Sequence, residues 1–133
     1  MVMATSLLFG ACNSKDIDIE VKVKAKENME NVIGRSDIKV KDGRMTPEVL
    51  WAMGRIGGMN VSPDGQKVVY TVAYYSVPEN RSNREVFVMN ADGTDNKQIT
   101  KTAYSENEAV WIKGGKKIAF LCNESGSSQL WEM

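Results

Sequence analysis

From Met59 onward the chain is built of short runs of apolar, β-branched and aromatic residues separated by turn residues. Lys67-Val68-Val69-Tyr70-Thr71-Val72-Ala73-Tyr74-Tyr75 suits a pleated, half-buried surface and predicts a strand. It is entered through Asn60-Val61-Ser62 and then Pro63-Asp64-Gly65. In that turn Pro presets φ, Asp bonds back to the backbone and Gly takes a positive φ. A polar loop, Pro78 to Asn83, leads to a predicted third strand from Glu85 to Met89. Asn90 to Thr94, centred on Asp92 and Gly93, has hairpin-turn chemistry, and Lys97 to Thr100 predicts a short fourth strand. Strands and turns at this spacing fit an all-β sandwich or propeller.

The segment then starts again. Fifty residues on, Gly65 meets Gly115, Lys67 meets Lys117, Val68 meets Ile118, Tyr70 meets Phe120 and Val61 meets Trp111. Gly114 and Gly115 make the corresponding turn. At an offset of forty-four, Val86 meets Leu130, Phe87 meets Trp131 and Met89 meets Met133. The change of offset is expected in the loop from Ser76 to Asn83, longer than Glu124 to Ser127. Four strands repeating every 40–50 residues are the signature of propeller blades. The fold class expected is therefore all-β: about two blades of a partial β-propeller, the second lacking its last strand. Trp111 and Trp131 are expected in blade cores.

Upstream, Thr46-Pro47-Glu48 opens a short helix, with Thr as cap and Pro at its first position. Val49, Leu50 and Met53 should share an apolar face, with Trp51 at its margin, and Gly54 and Gly57-Gly58 should stop the helix. Ile17, Ile19, Val21, Val23 and Ala25 alternate with charged residues, which predicts a half-exposed strand. Ile38-Lys39-Val40-Lys41 repeats the pattern briefly before the turn pair Asp42-Gly43.

Composition narrows the chemistry. Seventeen basic residues balance seventeen acidic ones, so no overall field draws the chain to nucleic acid, which is not expected as a partner. No apolar run approaches the ~18 residues that span a bilayer. The chain contains no histidine, which excludes a Ser-His-Asp or Cys-His arrangement within it. No Gly-x-Ser-x-Gly occurs, no metal is expected and no cofactor is implied. Asp92 to Asn96 comes nearest to a Ca²⁺ loop but reads as a turn and a solvated loop. Cys122, in an apolar run, reads as a buried free thiol rather than a disulfide partner of Cys12.

Met1 to Ala11 are uncharged, and Leu8-Phe9-Gly10-Ala11-Cys12 is followed abruptly by polar Asn13-Ser14-Lys15-Asp16. This resembles the end of a bacterial lipoprotein signal, although the basic n-region is missing and Phe9 stands where Leu is usual. The resemblance implies lipidation at Cys12 and an exported, periplasmic or outer-membrane-anchored protein, held to the membrane only by its lipid.

Val61 to Tyr70, and Val88 to Thr94 leading to Gln98-Ile99-Thr100, resemble the WD40-like blade motif of TolB-type propellers and prolyl oligopeptidases. Met45 to Trp51, with Arg55 and the loop Asn80 to Glu85, is more specific. It resembles the opening of an exported peptidase of the prolyl oligopeptidase family, of the dipeptidyl-peptidase and acylaminoacyl-peptidase type. The resemblance implies three segments: a signal remnant over 1–12, an extension over 13–44, and the first part of a propeller over 45–133. It also implies further blades and an α/β-hydrolase domain as partners in the same parent chain. The propeller would gate the access of peptide substrates to a serine nucleophile, and short peptides would be removed from peptide N-termini. No catalytic residue of that family falls on this chain. The competing reading is a TolB-like periplasmic propeller serving as a protein-binding module.

Overall fold

A computed structural model describes residues 32–133. The expected strand over Ile17 to Ala25, and Cys12, lie outside the described residues. The helix α1, Pro47–Ala52, is capped by Thr46, whose hydroxyl accepts from the Val49 N–H at 3.3 Å. It is shorter than the sequence suggests. Met53 is already extended, and Val49 alone is buried, with Leu50 and Met53 exposed. Gly54 explains the stop: a Cβ there would lie 2.9 Å from both Tyr74 and Val72, so the backbone runs close over the sheet.

Seven strands follow: β1 (Arg55–Val61), β2 (Lys67–Ser76), β3 (Arg81–Asn90), β4 (Lys97–Gln98), β5 (Glu106–Ile112), β6 (Lys117–Cys122) and β7 (Gln129–Glu132). They form two antiparallel meanders, one of four strands in the order β1-β2-β3-β4 and one of three in the order β5-β6-β7. The described residues are thus all-β with one short α-helix, consistent with a partial propeller.

Several boundaries differ from expectation. Gly57 and Gly58 do not end the helix; they lie inside β1, at a bulge between Ile56 and Met59. A Cβ on Gly57 would sit 2.6 Å from the Oγ1 of buried Thr71, so only glycine fits there. Ile38 to Lys41 forms no strand. Ile38 and Val40 are both exposed, and two alternating apolar residues give a sheet little to bury. Arg81 to Asn83 are not loop residues but pair with Ser76, Tyr75 and Tyr74. The extra residues therefore lengthen the β2–β3 hairpin, which turns at 77–80, whereas β6–β7 turns at 123–128. β4 stops at Gln98 because Ile99 and Thr100 both fold back onto Val86.

The registers of the two sheets correspond. Val61↔Val68 has its counterpart fifty residues on in Trp111↔Ile118, and Ile56↔Val72 in Glu106↔Cys122. Each first strand carries a bulge, and at that offset the two are displaced by one residue. Tyr70↔Phe87 corresponds to Phe120↔Trp131.

One face of each sheet packs on the other. Val69 and Val86 meet Ala109, Ile118, Phe120 and Cys122, flanked by half-buried Val88, Tyr104 and Trp111. Polar contacts align the layers: the Trp111 N–H donates to Asn60 Oδ1 at 3.0 Å, and Arg84 Nη1 donates to Asn107 Oδ1. Trp131 departs from expectation. It lies on β7, whose residues are all exposed, and is itself 39% exposed.

Candidate functional site

The predicted turn residues sit at tight corners. Asp64 Oδ1 accepts from Ser62 Oγ at 2.6 Å and from the Gln66 N–H at 3.0 Å, while Gly65 takes φ +71°. These bonds hold the Asp64 carboxyl below its usual range. Pro63 packs toward Gly115, where a Cβ would come within 3.1 Å of its ring. Asp92 accepts from the Thr94 hydroxyl and N–H, and Gly93 takes φ +86°. Gly114 and Gly115, at φ +68° and +84°, turn β5 into β6. Pro63 and Gly115 thus approach each other, and the Ala91 N–H donates to the Gln66 carbonyl at 2.8 Å, contacts that join corners of the fold.

Two other groupings are brought together. The first is a carboxyl pair at the crossover between the sheets. Glu85 on β3 and Glu106 on β5 are 0% and 1% exposed. The Thr100 hydroxyl stands 2.8 Å from Glu85 Oε2 and 3.4 Å from Glu106 Oε2, and accepts from the Val86 N–H at 2.8 Å. Glu85 Oε1 accepts from Asn83 Nδ2 (2.8 Å) and the Thr102 N–H (3.0 Å). Glu106 Oε1 accepts from the Thr102 hydroxyl (2.7 Å) and faces the Cys122 thiol at 3.6 Å. Among the described residues neither carboxyl has a basic partner. Burying two carboxylates without a counter-charge is costly, so the pair holds protons more tightly than free carboxyls do. Burial pushes Glu85 up to about 7, with the nearby Glu106 adding to the rise, and burial raises Glu106 as well.

The second grouping is an aromatic corner at the end of the β2–β3 hairpin. Trp51 on α1 and Tyr75 on β2 meet edge to face, with centroids 5.4 Å apart. The Arg55 guanidinium lies 4.7 Å from the Trp51 ring centre and 4.6 Å from that of Tyr75. The same two rings line a cavity of about 650 Å³, with Ile33, Val77, Glu48 and Glu79 in its wall.

Neither grouping is a nucleophile–base dyad. Burial raises the Cys122 thiol, which stays an S–H and packs as a small apolar group. Sequence reading missed both groupings. Glu85 and Glu106 look like the polar half of an alternating strand until the crossover folds over them. Trp51, Arg55 and Tyr75 lie in three different elements, and only the packing of those elements gathers them.

No protein-family model matches the sequence. Two proteins do match over 86 residues, 65% of this chain, and they relate it to the dipeptidyl-peptidases. One is the "Dipeptidyl-peptidase 5" of Porphyromonas gingivalis, 45% identical; the other is the protein of the same name from Porphyromonas endodontalis, 41% identical. The chain spans 13% and 12% of their lengths.

Proposed function

We propose that this segment is the opening part of a β-propeller in an exported serine peptidase that removes dipeptides from peptide N-termini. The observation that carries the reading is the 86-residue match at 45% identity to a dipeptidyl-peptidase. The corresponding registers of the two sheets, each with a bulged first strand, support the view that each is one blade of a repeated WD40-like unit. With no histidine in the chain, the acyl-transfer machinery of the parent protein lies outside this segment. The propeller's part is to stand over the catalytic domain and admit short, extended peptides. The test is to incubate the parent protein with dipeptide-linked chromogenic substrates. Dipeptide release that vanishes when the parent's nucleophilic serine is changed to Ala is expected; release of single amino acids, or none, contradicts the reading.

The same proposal places the protein at a bacterial membrane through Cys12. Labelling cells with a fatty-acid analogue should tag the wild-type protein and leave Cys12→Ser unlabelled. Equal labelling of both would sink the anchor.

A further inference from the structure

We propose that Arg55 is a carboxylate-binding fork that takes the free C-terminus of a short peptide, whose apolar side chains lie against Trp51 and Tyr75. Among the described residues the Arg55 side chain makes no hydrogen bond or ion pair; its guanidinium lies over the two rings. The carboxylates of the same surface are already engaged. Glu79 accepts from Arg81 at 2.6 Å and Ser76 at 3.2 Å, and backbone and Thr46 hydrogen bonds hold the Glu48 carboxyl below its usual range. The guanidinium is thus held by stacking while its N–H donors stay open to solvent. Stacking against two rings restricts the rotamers that binding would otherwise have to freeze. A planar fork of this kind matches a carboxylate with two parallel N–H···O bonds.

The surroundings choose among anions. Glu48, in the wall of the adjoining cavity, disfavours a dianion such as phosphate, while Glu79 is neutralised by Arg81. Trp51, Tyr75, Ile33 and Val77 offer an apolar wall that a bare inorganic anion could not use. A monoanionic carboxylate on an apolar body satisfies both. Binding at this corner does not depend on where the parent's reaction takes place, and its test reads binding, not hydrolysis.

The test titrates the 133-residue chain with N-acetyl-phenylalanyl-glycine and, separately, with its C-terminal amide. The readouts are the NMR signals of the Trp51 indole N–H and the Arg55 Nε–H. The free acid should give saturable shifts at both, and the amide should bind at least about tenfold more weakly. Arg55→Lys keeps the charge but not the fork, and should also lose about tenfold. Its dispersed spectrum guards against misfolding, and Arg55→Gln should abolish the effect. Equal binding of acid and amide, undiminished binding by either variant, or no saturable shift with the acid would overturn the proposal.

Discussion

Raising the pH from about 4.5 to above 7 should lower the folding stability of this chain by about 3 kcal/mol, and Glu85→Gln should remove most of that fall. The sign follows from linkage. The Glu85 carboxyl moves from 4.5 in the unfolded chain up to about 7 in the fold, so the folded state binds its proton more tightly. Its contribution is complete below pH 4.5 and is lost as pH rises through 7. A tenfold tighter hold on one proton is worth ~1.4 kcal/mol. Glu106 is raised in the same direction and extends the slope. The surface acids act oppositely and in another window. Asp64, Glu79, Asp92 and Glu132 all lie below their usual values, so what they contribute is lost only in more acid solution. A stability maximum near pH 5 is therefore expected. Glu85→Gln keeps an oxygen for Asn83 and Thr102 and turns an N–H toward Thr100, whose hydroxyl is then free to donate to Glu106. Urea midpoints measured from pH 4 to 8 check this. A flat or rising profile in the wild-type chain would mean that the pair is not buried as described.

Phe120→Ala should cost about 3–4 kcal/mol, the range for emptying an aromatic site in a packed core. Phe120 is 7% exposed and sits at the junction of the two sheets, among Val69, Val86, Ile118 and Cys122. No neighbour in that layer is an exposed, mobile side chain that could swing in, so the cavity stays open. Leu130→Ala, on the same sheet but 74% exposed, should change stability by less than about 0.5 kcal/mol. Denaturant midpoints of the two variants compare the sites directly. Equal effects would show that the sheets do not share a core.

The strand order and turns were legible because they rest on local chemistry. Pro63-Asp64-Gly65 and Asp92-Gly93 dictate corners whatever surrounds them, and the run from Lys67 to Tyr75 is too β-branched and aromatic to be anything but a strand. What escaped the sequence depends on long-range approach. Gly57 looks like a helix stop until Thr71 is found 2.6 Å from where its Cβ would be. Ile38 and Val40 have the alternation of a strand but lie exposed, outside both sheets. Trp131 follows the register of Phe87 yet lies on an edge strand. The buried carboxyl pair was invisible for the same reason. Only the turn-back of Thr100 and Thr102 between the sheets reveals that two acids from different strands share one hydroxyl.

The proposed function makes this segment part of a propeller that limits a dipeptidyl-peptidase to short, extended substrates. It is tested most directly by the parent protein's rate of dipeptide release along a series of peptides of increasing length. The series should end in a stably folded protein with an accessible N-terminus. The account predicts ready release from short peptides, a steep fall with length, and none from the folded protein. Release from the folded protein at the rate seen for short peptides would contradict it.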